Sequence, residues 1–140
     1  MYLEEAVAAF YADCLLSSCV MLGVAAEAEF LRLLNVAASG QFQSPTFTTL
    51  AIKDRGRPIR QKITTFQRAL VPILPTLQPR REFEDADTRL NFIQSVIRIA
   101  RNDAGHPTGV HAPPREDVYV FMQMFVPFAA QVKSLRVAMA

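Results

Sequence analysis

Apolar residues recur at intervals of three and four along four long segments of this 140-residue chain. This spacing places the apolar side chains on one face of an α-helix and differs from the alternation of a half-buried strand. Gly40, Pro58 and the pair Pro113-Pro114 separate the segments, and such residues typically end or begin helices. The pattern predicts an all-α fold in which residues 1–140 form one domain, an antiparallel bundle of four to five helices.

Four main helices are predicted between these separating residues. They cover residues 3–39, residues 58–74, a segment from about residue 86 to a stop at residue 105, and a segment beginning after residue 114. Residues 41–48 are predicted to be a loop, with a weak helical turn around Leu50. The fourth helix is apolar on nearly every side, which is typical of a helix that is central or shared with a second chain.

The cysteines and the hydropathy pattern limit the class of protein. Cys14 and Cys19 lie five residues apart on a predicted helix, so they point in different directions and cannot form a disulfide with each other. Two reduced thiols are typical of the cytoplasm. The longest uncharged apolar stretch, residues 14–26, is shorter than the roughly 20 residues that span a bilayer. We therefore predict a cytoplasmic protein that does not contact a membrane.

A small net charge of +2 hides a strongly basic segment. Residues 53–81 contain eight Lys or Arg side chains and a single acidic residue, Asp54. Such a segment can bind phosphates, or it can be an ordinary solvated face and loop. The predicted RNA-binding residues are Lys53, Arg55, Arg57, Arg60 and Lys62.

Residues 101–107 (RNDAGHP) lie where the third predicted helix gives way to a loop. The Arg101 side chain is predicted to extend from the last helical turn, and His106 follows the end of the helix. The loop can therefore fold the imidazole of His106 back toward the guanidinium of Arg101. An arginine can hold a phosphate through two parallel hydrogen bonds, and an imidazole transfers protons near neutral pH. Asn102 can orient either group or bind a ribose hydroxyl. Together these groups are suited to cleaving an RNA phosphodiester without a metal.

A single imidazole cannot easily act as base and acid on opposite sides of one phosphate, so this chemistry favours a homodimer. The alternatives are structural: His106 can cap the carbonyl groups at the helix end, and Arg101 can form a surface ion pair. His111 is a rival acid–base group in a proline-flanked loop. Two histidines in a loop without nearby cysteines do not make a metal site, and we predict neither a metal nor another cofactor.

These residues resemble the HEPN superfamily, which carries an Arg, a polar residue directly after it and a His four to six positions after the Arg. Residues 20–27 (VMLGVAAE) are similar to the apolar-Gly-apolar-Glu pattern in the first long helix of many members, and the long apolar helix from Arg115 also fits. The resemblance implies a homodimeric helical bundle in which the Arg and His of both chains line one composite cleft.

Many members of this superfamily are metal-independent endoribonucleases in toxin–antitoxin or other defence systems. By resemblance, Arg101 and His106 are catalytic and Asn102 is the supporting polar residue. Glu27 is either an acid that faces this motif or part of a buried salt bridge between helices. The resemblance also implies RNA as the substrate and an antitoxin or a nucleotidyltransferase as a partner. Two other functions stay open, namely a non-catalytic nucleotide- or protein-binding module and a structural helical dimer.

Overall fold

The computed structural model describes residues 1–54, 56–104 and 113–140, and the side chains of all of these except residues 100–104. All regular secondary structure in these ranges is helical, so the prediction of a helical bundle is confirmed. The α-helices of the described ranges are α1 (Tyr2–Tyr11), α2 (Leu15–Ser39), α3 (Pro45–Thr48), α4 (Ile59–Leu70), α5 (Arg80–Phe83), α6 (Ala86–Ala104) and α7 (Arg115–Met139). A π-helical turn over Thr49–Lys53 follows α3, and a 3-10 turn over Leu74–Thr76 follows α4.

Helices α6 and α7 run antiparallel through the bundle. Near the start of α6, Nη1 of Arg89 donates to Oε1 of Gln131 in the second half of α7 (3.2 Å). Near the end of α6, Ile99 packs against the cluster around Val118, which lies in the first turn of α7. Both helices also pack along α2, so α2, α6 and α7 form the centre of the fold.

Three phenylalanines hold α3 and α4 against α2. Phe30, Phe47 and Phe66 are fully buried. The ring of Phe66 packs edge to face on Phe30, with centroids 5.4 Å apart, and lies 5.2 Å from the ring of Phe47. Aromatic contacts of this kind contribute about 0.5–1.5 kcal/mol beyond the burial of apolar area. They fix which face of α4 points inward.

The predicted first helix over residues 3–39 is wrong, because the chain turns at Asp13 and α1 folds back on α2. Asp13 has a φ of 60°, in the left-handed region that Asp tolerates better than most residues. Arg115, at the start of α7, donates from Nη1 to Oδ1 of Asp13 (2.9 Å) and to the carbonyl of Phe10 (3.0 Å). The turn therefore depends on a distant side chain, and neither Gly nor Pro marks it in the sequence.

The remaining helix boundaries agree more closely with the sequence pattern. The turn around Leu50 is confirmed, but the predicted loop over residues 41–48 contains α3, whose first turn begins after Ser44. The Ser44 hydroxyl accepts a hydrogen bond from the N–H of Phe47 (3.3 Å), as an N-cap does. Helix α4 ends at Leu70, four residues before the predicted end. Helices α6 and α7 occur where they were predicted.

Helix α7 has one buried side and one exposed apolar side. By length and hydropathy it meets the criterion for a bilayer span, and among the described helices it is the one that does. Only a third (33%) of its most apolar 18-residue stretch is buried inside the bundle. Absence of membrane contact remains a prediction.

Gly40 ends α2 at a point of close approach to the end of α7. The N–H of Gln41 donates to the carbonyl of Met139 (3.2 Å), so the C-termini of α2 and α7 meet and the two helices run parallel. A Cβ added to Gly40 would overlap the carbonyl oxygen of Met139. The φ of Gly40 is −89°, which any residue can adopt. Glycine is therefore required at position 40 because a side chain would not fit beside the backbone of Met139.

We expect Gly40→Ala to lower the free energy of unfolding by about 1–3 kcal/mol, because the two helix ends must separate to admit a methyl group. Urea unfolding measures this change. Gly56→Ala is the matched control, because no described atom lies within 4 Å of a Cβ built there. We expect the control to change stability by less than about 1 kcal/mol. Equal losses in the two variants would contradict the close approach.

Candidate nucleic-acid interface

Side-chain amides join α4 to α6 along their solvent-facing edge. Nε2 of Gln94 donates to the carbonyl of Arg60 (3.2 Å) and to Oγ1 of Thr64 (3.2 Å). Further along α4, Nε2 of Gln67 donates to Oδ1 of Asn91 (2.9 Å). This order of contacts shows that α4 and α6 run antiparallel. We call these bonds the amide seam, and they fix the register of α4, and with it the backbone of Arg60, on α6.

A groove of about 550 Å³ opens beside the amide seam and crosses the first turns of α4. The polar and charged residues that line it are Arg57, Arg60, Gln61, Thr64, Thr65 and Gln94. Arg57 and Arg60 are both exposed, so their guanidinium groups are accessible from solvent. Guanidinium, hydroxyl and amide groups are the side chains that usually contact the oxygens of a nucleic-acid backbone.

Two further cavities extend this groove from α4 to α3. The second, of about 280 Å³, shares Arg57 and Thr65 with the first and includes Thr49. The third, of about 390 Å³, shares Thr49 with the second and reaches Lys53. Because neighbouring cavities share lining residues, the three form one continuous surface. We call it the α4 groove, defined by Thr49, Lys53, Asp54, Arg57, Arg60, Gln61, Thr64, Thr65 and Gln94.

One ion pair tempers the positive charge of this groove. Nη2 of Arg57 lies 2.8 Å from Oδ2 of Asp54, and the two side chains are 37% and 24% exposed. A pair this exposed contributes at most about 1 kcal/mol to stability. Its larger effect is on the electrostatic potential of the groove. Among the described lining residues Asp54 is the one acid, and its carboxylate offsets part of the positive charge of Lys53, Arg57 and Arg60.

The structure brings together three of the five basic residues predicted from the sequence. Lys53, Arg57 and Arg60 all line the α4 groove. Lys62 does not, because it lies on the inward face of α4 and is only 7% exposed. Its side chain is buried inside the bundle, so Lys62 is not one of the proposed RNA-binding residues. Arg55 lies outside the described residues.

The predicted catalytic motif is described in part. Helix α6 extends to Ala104, so Arg101 and Asn102 belong to its last turn, but their side chains lie outside the described residues, as does all of His106. The backbone nevertheless fixes one relation. Residue 101 follows Gln94 by seven positions, or two helical turns, which places it on the same side of α6 about 10 Å along the axis.

Glu27 is partly buried on α2, a helix that packs along α6. It precedes Phe30 by three residues, so it lies on the side of α2 that carries the aromatic contact with α4. Both readings of Glu27, an acid near the motif and a salt bridge between helices, stay predictions.

Sequence reasoning missed the uncharged donors of the groove. A count of basic residues does not point to Gln61, Thr64 and Thr65, because these side chains carry no charge. A signal for them exists in the sequence: the apolar residues Ile59, Ile63 and Phe66 define the inward face of α4. Helical spacing from these apolar positions places Gln61 and Thr64 on the opposite, exposed side of α4 and Thr65 at its partly buried edge.

Comparison of the chain with protein-family models, curated proteins and solved structures finds no match. Among the described residues, no three His, Cys, Asp or Glu side chains are grouped so that they could hold a metal ion. The groove instead offers cations and neutral hydrogen-bond donors, which suit an extended anion such as a phosphodiester backbone.

We expect Gln94→Leu to lower the free energy of unfolding by about 1 kcal/mol, because two hydrogen bonds of the amide seam are lost. Chemical denaturation measures the change. Gln61→Leu is the matched control, since Gln61 is exposed on α4 and its side chain makes no hydrogen bond to the described residues. A Thr64→Val, Gln94→Leu cycle without coupling would show that the seam does not hold the helices together.

Proposed function

We propose that this protein is a HEPN-like, metal-independent endoribonuclease that acts as a homodimer. The observation that carries the proposal is the polar side of α6. It starts at Gln94 in the α4 groove and continues through the exposed Arg98 toward position 101, which follows Gln94 by two helical turns. An RNA strand held in the groove would be led along this side of α6 to the motif.

The reaction uses the ribose 2′-hydroxyl as the nucleophile. In the proposed mechanism, His106 of one copy removes the proton from this hydroxyl, and the oxygen attacks the adjacent phosphorus. The bond to the 5′-oxygen of the next nucleotide breaks, and His106 of the second copy protonates that oxygen. Arg101 stabilises the negative charge that builds on the phosphate, and Asn102 orients the groups. The products are a 2′,3′-cyclic phosphate and a free 5′-hydroxyl.

The exposed side of α7 supports pairing with a second copy. In its first half, Tyr119 is 53% exposed, Val120 50% and Met124 44%. Large apolar side chains grouped in this way are typical of interaction surfaces. Because α7 begins nine residues after His106, a contact between two copies of this half of α7 would bring the two motifs toward one cleft.

The α4 groove by itself also favours a second function, a module that binds a nucleotide or RNA and cleaves nothing. In that case an associated protein, such as a nucleotidyltransferase or an antitoxin, would act on what the module binds. The groove supports binding equally well in both proposals, so they differ only in what happens to the RNA.

Purified protein incubated with mixed RNA in EDTA is expected to release fragments with cyclic-phosphate ends. We expect Arg101→Ala and His106→Ala to cleave at least about 100-fold more slowly, because each removes a group that acts in the transition state. His111→Ala is the matched control and should cleave like the unchanged protein. Cleavage by all variants alike would exclude the motif, and intact RNA with retained binding would favour the non-catalytic module.

A charge on the exposed side of α7 should separate the two copies. We expect Val120→Glu combined with Met124→Glu to give a folded monomer that no longer cleaves RNA, because the composite cleft is lost. Size-exclusion chromatography with light scattering measures the mass. Val137→Glu is the control, since Val137 is 75% exposed near the other end of α7. A doubly substituted protein that stays dimeric would refute this interface.

A further inference from the structure

The α4 groove combines three features that together identify a class of ligand. They are the alternation of cations and uncharged donors, a course that crosses α4 from α6 to the end of α3, and a lining without aromatic rings among the described residues. None of these features depends on the catalytic motif.

The first feature is the alternation of charged and uncharged donors. Arg60 lies in the first turn of α4, Arg57 lies two residues before the helix begins, and Lys53 ends the π-helical turn that follows α3. Between them, the hydroxyls of Thr65 and Thr49 line the shared parts of the cavities. A compact anion would use one cation and two or three donors. A lining that repeats the same chemistry along its length fits a polymer of phosphates.

The second feature is the course of the groove. It runs from Gln94 on α6 across the start of α4 to Thr49 and Lys53 after α3. A flexible single strand can follow a floor formed by three elements in turn, whereas a rigid duplex would contact only the outermost cations.

The third feature is the placement of the aromatic rings. The phenylalanines of α3 and α4, Phe47 and Phe66, are fully buried and point into the core. Binding of single strands through their bases relies on exposed rings on which the bases stack. The groove lining offers hydrogen-bond donors and cations to the backbone in place of such rings, and backbone contacts carry no sequence information.

We propose that the α4 groove binds single-stranded RNA through its sugar–phosphate backbone, without preference for base sequence. This inference rests on the proposed function, because it names the class of substrate that the motif on α6 would receive. Three cations in the groove predict that the logarithm of the association constant falls with the logarithm of salt concentration with a slope of about −2.

The test uses the full chain carrying His106→Ala, so that cleavage does not disturb the measurement. Fluorescence anisotropy is recorded with labelled single-stranded RNA 12-mers of two unrelated sequences and with a 12-base-pair RNA duplex, over a range of KCl concentrations. We expect equal affinity for the two sequences and weaker binding of the duplex. Strong discrimination between the sequences, or tighter duplex binding, would overturn the proposal.

Matched substitutions show whether the groove is the surface involved. We expect Arg57→Gln and Arg60→Gln each to weaken binding about fivefold at 0.1 M salt and to reduce the slope by about 0.7. Arg68→Gln removes the same charge from an exposed position of α4 outside the groove, and should bind like the parent protein. Equal losses in all three would mean that only overall charge matters.

A gain of affinity provides a test that misfolding cannot imitate. We expect Asp54→Asn to strengthen RNA binding, because it removes the carboxylate that offsets the charge of Arg57. Unchanged or weaker binding by this variant would count against the groove. Poly-glutamate serves as a competitor, and displacement of RNA at an equal concentration of charge would show that the groove accepts acidic polypeptide equally well and overturn the assignment to RNA.

Failure of this proposal and failure of the nuclease proposal give different results. If the unchanged protein cleaves RNA but its affinity for RNA is the same in the Arg57 and Arg60 variants, the proposal for the groove is wrong and the nuclease proposal is retained. If RNA stays intact but the Arg57 and Arg60 variants bind it more weakly, the proposal for the groove is retained and the nuclease proposal is wrong.

Discussion

The packing of Phe66 on Phe30 is the contact on which the α4 groove depends. It turns the apolar side of α4 toward α2, with Ile63 buried beside it. The side of α4 opposite to this contact carries Arg60, Gln61 and Thr64, which are exposed. The α4 groove is thus a consequence of core packing, and its chemistry is set by the residues that the core leaves outside.

The amide seam adds a second constraint, which relates the groove to α6. Apolar contacts would let α4 slide or rotate by small amounts at little cost, because the hydrophobic effect has no direction. Hydrogen bonds from Gln94 to the backbone and hydroxyl of α4 have direction, and they fix one register. The groove and the backbone of residue 101 therefore lie on the same helix, α6, at a fixed separation.

The amphipathic pattern was sufficient to predict helices α6 and α7, because Asp85 precedes α6, Gly105 follows it in the sequence and Pro114 precedes α7, and the local preferences of these residues agree with the pattern. It failed at Asp13, where the turn is held by Arg115 from the other end of the chain. It also ranked Lys62 with Arg57 and Arg60, since a count of charges does not distinguish the two sides of α4. The side of the helix becomes evident only when the apolar positions around Lys62 are considered with it.

The sequence by itself determined that this chain folds into helices and where most of them begin and end. It also determined which groups are candidates for binding and catalysis, namely one basic segment and one Arg-polar-His motif. Only the tertiary structure decided that Lys53, Arg57 and Arg60 share a groove, that Lys62 is buried, and that threonines and glutamines complete the lining. The physical reason is the range of the interactions. Helix formation depends on residues three and four apart, whereas a groove is made by side chains from helices that meet only through packing.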